Sequence, residues 1–585
     1  MNSFETAEHQ TVTADPPAFS VSRLIVGLVL LLPALVLFFN LQLQPAIRTL
    51  AASQTDGNFI SEPEFVGMEN FSRLAEDRRF TEALGYTLVM VLLRLVIVAI
   101  IPPLVGALVG AQPFAGRATN RLLLSVLMIL TAPVALAVLL RGFLAPIWGT
   151  TPSPFETPFL GLTLSSPNGA RSTLLLADAV ITVGIAAVIG GTAFMAVMRG
   201  RDSSPSASRA GIGVWLVGCL LALASAPQTF TLPYILTAGG PANSTNTLGL
   251  HLFNIGFRNL QMGYASALAV LLIATAVFIG LLVGILIWAF RLRLTFTPPS
   301  SAVEASSLLS FLSTPLILLL GLPSFGLVAW GLWLASTNNG FSDANEVVNT
   351  GRAFSNTVTA SWSSIWLIQI LITYLLGMAL GFVRPIHRVV CNILFVGFIV
   401  LAFIPPEALV FDWYSTMREL EWVNTTQATG YASLVSLFSL IVFKLFFDGA
   451  SERYQAAVEE GQTPTDAFLN RVFLPSLAIV LVVGAVLSFF SAQALLWPLI
   501  TINTPDLYGF PVQIVFLSNQ FSLQSQAMTG LALIFIGIVG LIFLPIFALL
   551  QLLVVDRLAI LAGPEVILGK SKRATAPEAP SYSSF

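Results

Sequence analysis

Apolar runs of about 20 residues, the length a helix needs to cross ~30 Å of hydrocarbon, alternate along this chain with short polar breaks. Twelve can be marked: 24–41, 88–109, 122–144, 174–198, 212–230 and 265–290, then 309–335, 365–383, 389–409, 431–447, 477–496 and 531–555. Each is read as a helix, because backbone in lipid must satisfy its own hydrogen bonds. The polar break from Ser451 to Pro475 has a structure of its own. Its first part favours helix through Glu459 and Glu460, and Ala456 and Ala457 add almost no bulk. Gly461 can take the left-handed conformation that ends a helix. Thr463 follows as an N-cap, with Pro464 at the first helical position and Asp466 in the first turn. The spacing predicts a helix–turn–helix lying along the membrane surface, with a narrow Ala-Ala face for the groove of a soluble partner.

Composition agrees with an all-α polytopic membrane protein. Of 585 residues, 56% are hydrophobic and 10% charged, against about a quarter charged in soluble domains. A net charge of −2 argues against nucleic acid. Cys219 and Cys391 both fall in apolar runs, so no disulfide framework is suggested. Glu5, Glu8 and Asp15 outnumber the single arginine of the first 23 residues, a poor basic region for a cleaved signal peptide, so the first span is expected to be retained.

Lys and Arg placement sets the expected orientation. With the N-terminus inside, 16 of the 27 basic residues fall on the cytoplasmic side and 8 outside; Arg94, Arg141 and Lys444 fall within spans. Residues 1–23 and 558–585 become cytoplasmic tails, and the 451–475 loop faces the cytoplasm. Residues 291–307, with Thr297-Pro298-Pro299-Ser300-Ser301, break helix and read as a linker between six-span units at 24–290 and 308–557.

Several motifs then carry a family resemblance. Gln455-Ala456-Ala457, Gly461 and Leu474-Pro475 resemble the coupling loop of permeases in ATP-driven importers, although Gln455 stands where that family has Glu and the Gly-to-Pro interval is one residue longer. Leu236-Thr237-Ala238-Gly239-Gly240-Pro241, followed by Phe257-Arg258-Asn259 and Met262-Gly263-Tyr264-Ala265-Ser266-Ala267, resembles the fifth outer loop of carbohydrate-type permeases. Asn356-Thr357, Pro405-Pro406 and Leu496-Trp497-Pro498-Leu499 are similar to the partner permease subunit of the maltose and glycerol-phosphate importers. The resemblance implies two pseudo-symmetric type I ABC (ATP-binding-cassette) permease halves fused in one chain and set in a bacterial-type inner membrane. It also implies two nucleotide-binding ATPase subunits carrying the ATP and Mg, and an external solute-binding protein. Gln455, Ala456, Ala457, Glu459, Glu460, Gly461, Leu474 and Pro475 would meet an ATPase. The first unit departs from the pattern: Met198 to Ala210, rich in Ser and Pro, is too short for a second coupling loop.

No catalytic centre or metal spacing is visible: His9, His251 and His387 are scattered. The chain reads as a transport permease, not an enzyme, with no cofactor of its own. Gly569-Lys570-Ser571 lacks the spacing and frame of a phosphate-binding loop. A transport site belongs near the midplane, where helices are interrupted. Ser225, Gln228, Thr229 and Phe230 end the fifth span; Phe489, Phe490, Gln493 and Trp497 stand at the equivalent place in the eleventh. Rings can stack on sugar faces while amides and hydroxyls bond sugar oxygens; the same groups can equally bridge helices. Ser491-Ala492-Gln493 replaces the family's Trp-Asn-Glu run.

Among charges in spans, Asp178, Arg141 and Lys444 are expected to reach the interface, and Arg94 needs a carboxylate partner. The Gly106–Gly110 and Gly280–Gly284 spacings favour close helix contact. Two other readings are an ion-coupled secondary transporter, which would want acidic residues buried mid-span, and a degenerate, non-transporting scaffold. Asp178, Glu407 and Asp412 lie towards span ends in sequence, which counts against ion coupling.

Overall fold

The computed structural model describes residues 21–57, 63–110, 112–144, 162–200, 207–297, 307–519 and 525–563. The tails at 1–20 and 564–585, and 201–206 of the short first-unit loop, lie outside them.

Among the described residues, nine helices are long and apolar enough to cross a membrane: Val21–Ala52, Arg78–Gly110, Pro167–Gly200, Ser208–Ser225, Met262–Phe290, Phe311–Thr337, Thr350–Val383, Pro464–Ser491 and Ala527–Arg557. Two bent pairs raise this to eleven: Phe114–Leu130 with Pro133–Leu144, bent by 68°, and Arg388–Phe403 with Pro406–Glu419, bent by 78°. Proline stands at both breaks, where its ring and missing N–H interrupt the helical ladder. The expected tenth span falls in Leu437–Glu459, whose first half is apolar and whose second half is polar. The protein is an all-α polytopic membrane protein; the count of twelve is met only if this mixed helix is included.

The bent pairs occupy equivalent places, third in the first unit and third in the second. The packing repeats with them. Met262–Phe290 packs on Arg388–Phe403, and Ser525–Leu553 packs on Phe114–Leu130. Each unit's last helix thus rests on the other's bent pair. The opening helices cross over likewise, Val21–Phe38 onto Ile370–Met378 and Ser307–Thr337 onto Arg78–Gly110. The halves are interlocked rather than merely abutted.

Small residues make the crossings close. A Cβ on Gly280 would stand 2.9 Å from the Phe403 side chain, and one on Gly284 3.0 Å from Val396. Gly106 approaches Phe194 more closely still. Without a hydrophobic force between helices in lipid, such dispersion contact is a main source of attraction.

The expected linker begins with structure. Arg293–Phe296 forms a strand, β1, paired antiparallel with Leu558–Leu561, β2, just past the last helix. β1 packs on the Leu437–Glu459 helix and β2 on the Gly191–Gly200 helix. This two-stranded ribbon spans both units at one end of the molecule. A Cβ on Gly449 would run into the Leu294 carbonyl, and one on Gly200 would stand 2.8 Å from the Ile560 carbonyl oxygen.

Candidate functional site

The Ser451–Pro475 segment folds as a helix–turn–helix. The Leu437–Glu459 helix continues without a break from its apolar half into the polar one. Gly461 takes φ +93° and turns the chain. Thr463 caps the next helix, accepting from the Asp466 N–H at 3.2 Å and donating to the Asp466 carboxylate at 2.7 Å. Gln455, Ala456, Glu459, Glu460, Gly461 and Leu474 are exposed, Pro475 is partly so, and Ala457 is buried. The exposed surface therefore includes Ala456 but not Ala457, which is packed within the chain. A Cβ on Gly461 would meet nothing within 4 Å, so the turn projects into open space.

At the equivalent place in the first unit, the Gly191–Gly200 helix is covered by β2. A charge cluster holds the strand there. Asp556, two residues before β2, meets Arg117 Nε at 2.9 Å, Arg121 Nε at 3.2 Å and Arg199 Nη2 at 3.0 Å. All four side chains are under 10% exposed. On the other strand, Arg293 pairs with Glu452 of the elbow helix at 2.6 Å. Arginines counted to one side in sequence thus meet at one end of the fold.

A cavity of about 380 Å³ lies between the interrupted helices, mostly within the second unit, with Gln228, Phe230 and Thr231 contributed by the first. Trp413, Trp497, Phe230 and Phe490 supply aromatic walls. Asn356, Thr357, Ser361, Ser433, Ser436 and Ser491 supply amide and hydroxyl groups. Trp497 is fixed by donating its Nε1–H to the Ala428 carbonyl at 2.6 Å and stands edge-on to Trp413, centroids 5.7 Å apart. Thr357 accepts from the Phe510 N–H at 2.8 Å, tying the Thr350–Ser363 helix to the Phe510–Asn519 helix.

Of the eight residues expected along the path, Gln228, Phe230, Phe490 and Trp497 line this cavity. Ser225 and Thr229 face elsewhere: their hydroxyls accept from Arg94 at 3.0 and 2.8 Å. Phe489 is core, packed on Phe543 and Phe547. Gln493 donates to the Phe489 carbonyl at 3.2 Å. Asn356, Thr357 and Pro406 carried family motifs in sequence and line the cavity; Trp413 and Glu407 had no such signal. The Gly239-Gly240-Pro241 turn closes on itself, Thr245 Oγ1 donating to the Gly240 carbonyl at 2.9 Å, with Gly239 at φ +89°.

Three charged residues expected at the interface are engaged within the fold. Asp178 is buried and is the carboxylate that Arg94 needs. Lys444 is 3% exposed and bonds Asp448 at 2.5 Å, one turn along its helix. Arg141 is half-buried and donates to the Ile235 carbonyl at 3.0 Å. Charges are costly inside a membrane, and pairing or backbone carbonyls offset that cost here. Nor do the acids all lie outward: Asp178 is in the core and Glu407 lines the cavity.

No family model matches the chain. It is similar to the multiple sugar-binding transport system permease protein MsmF of Streptococcus mutans, 26% identical over 222 residues, covering 36% of this chain and 76% of the relative. It is also similar to the sulfoquinovosyl glycerol transport system permease protein SmoG of Agrobacterium fabrum, 27% identical over 268 residues, covering 43% of this chain and 86% of the relative. A stretch of 57 residues is 42% identical to a probable ABC transporter permease of Brucella suis, 9% of this chain and 20% of the relative. With its polytopic helical fold, the chain is thus similar to transport-system permeases, ABC transporter permeases among them. The two longer matches cover most of each relative but less than half of this chain, consistent with two permease units joined in one polypeptide.

Proposed function

We propose that this chain is the translocation path of an ATP-driven importer for a sugar or related polyol. The observation that carries the reading is the cavity: four aromatic walls and a ring of hydroxyls and amides at a break in the helices, a chemistry suited to polyol faces and edges. The relatives' sugar-transport names point the same way. Two cytoplasmic ATPase subunits would bind and hydrolyse Mg-ATP, and an external solute-binding protein would deliver cargo. The chain would sit in a bacterial-type cytoplasmic membrane with both termini inside. ATPase closure would press on the exposed elbow around Gln455, Ala456, Glu459, Glu460 and Gly461. The Leu437–Glu459 helix would carry the push towards Ser436, at its N-cap in the cavity wall. β1, seated on that helix, and β2, seated on the first unit, would let one elbow move both halves.

Glu407 in the cavity gives the ion-coupled alternative its one foothold, so the test must separate the energy sources. Uptake of labelled disaccharides and polyols is compared in cells with and without the chain, under ATP depletion and under a protonophore. Uptake should require the chain, stop when ATP is depleted and persist when the proton gradient is collapsed. The opposite pattern would make it a secondary transporter, and no chain-dependent uptake would leave a scaffold.

A further inference from the structure

Among the described residues lining the cavity, Glu407 is the one ionisable side chain; none of them is a lysine, arginine or histidine. It sits where the second bent pair breaks. Pro405 is the N-cap of the Pro406–Glu419 helix, and the 78° bend turns the first residues of that helix into the cavity. Two successive prolines fix this backbone, so the placement is built in. The Glu407 Oε2 is enclosed and accepts from no group of the protein. Other acids in the spans are answered: buried Asp178 by Arg94, and partly buried Asp448 by Lys444 and Arg384. A buried carboxylate oxygen left without a donor is expensive, and its retention on a cavity wall calls for a donor that comes and goes.

We infer that Glu407 selects cargo by charge, accepting a hydroxyl or an ammonium of a neutral or amino-bearing sugar and turning away sugars that carry a carboxylate, sulfonate or phosphate. This rests on the cavity being a sugar site. A hydroxyl can donate to the carboxylate, and an ammonium donates with charge assistance and binds more strongly. When Glu407 is ionised, an anionic sugar brings a second negative charge into a low-dielectric wall lined by no described cation, and like charges there repel steeply. Trp413 and Trp497 line the same cavity and add no charge to it.

The test is direct binding of three labelled disaccharides of similar size to the full-length permease in lipid nanodiscs: maltose, the glucosamine disaccharide, and maltobionate. Wild type should bind the glucosamine disaccharide at least tenfold more tightly than maltose, and maltose at least tenfold more tightly than maltobionate. Glu407→Gln, equal in size, should bring the three within about threefold. Glu407→Asp, which keeps the charge, should keep the order. Maltobionate binding as well as maltose to wild type, or an unchanged order in Glu407→Gln, overturns the inference and leaves the sugar site standing. Failure of all three to bind wild type overturns the sugar site and the inference with it.

Discussion

Arg94 and Asp178, 84 residues apart in sequence, face each other in a two-point ion pair: Nε to Oδ2 at 3.0 Å and Nη2 to Oδ1 at 2.5 Å. Two further guanidinium hydrogens go to Ser225 and Thr229, so one arginine joins the second, fourth and fifth spans. Removing one partner strands a buried charge, which costs roughly 3–5 kcal/mol. Arg94→Ala and Asp178→Ala should each lower the melting temperature of the detergent-solubilised protein sharply. The double change Arg94→Met with Asp178→Leu should recover most of the loss, since apolar replacement of a buried pair is often neutral.

Asp556 answers three arginines at once. Asp556→Ala would leave Arg117, Arg121 and Arg199 crowded without their shared anion, again a loss of roughly 3–5 kcal/mol. Because Asp556 lies two residues before β2, the ribbon should loosen before the helices do. Limited proteolysis should cut near residues 558–563 in Asp556→Ala at protease levels that spare the wild type. Equal resistance would mean the ribbon is held by its β pairing alone.

Much of the fold was legible because a bilayer imposes a length on each apolar run. Each marked run overlaps a helix, although 226–230, 432–436 and 492–495 lie between helices, and the 451–475 elbow followed from Gly461, Thr463 and Pro464, whose effects are local. What escaped depends on contacts distant in sequence. The β1–β2 pairing joins residues more than 250 positions apart through four-residue strands, too short to announce themselves. The site was half legible for a geometric reason. Ser225 and Thr229 are four residues apart and turn together towards Arg94, whereas Gln228 and Phe230 turn towards the cavity. Phe489 and Gln493 share a face directed into the core, and Phe490, one residue on, faces the cavity. Which face of each helix is inward is set by its neighbours. Glu407 was passed over because it lies near the end of its apolar run, and only the 78° break returns that end to the interior.

Gly280 lies at the crossing of the two units, with Phe403 2.9 Å from where its Cβ would stand. Gly280→Leu should pry the sixth span from the ninth, costing roughly 1–3 kcal/mol as overpacking does. Gly397, where a Cβ would meet nothing within 4 Å, is the control, and Gly397→Leu should leave thermal stability nearly unchanged.

Gly461 stands in open space at φ +93°. Gly461→Trp would strain the turn by about 1 kcal/mol without a clash inside the chain, so the protein should fold and insert normally. The bulky ring would stand off any surface seated on the elbow. Uptake should fall at least tenfold while the amount of chain in the membrane is unchanged; normal uptake would mean the elbow is not the coupler.

Coupling to a cytoplasmic ATPase requires that elbow to lie on the inner side of the membrane. Glu459 is exposed on it, and both native cysteines are buried, so Glu459→Cys places one accessible thiol at the point in question. Labelling with a membrane-impermeant maleimide should fail in intact cells and succeed in inverted vesicles, with protection when ATPase subunits are bound. Labelling in intact cells would put the elbow outside and contradict the account.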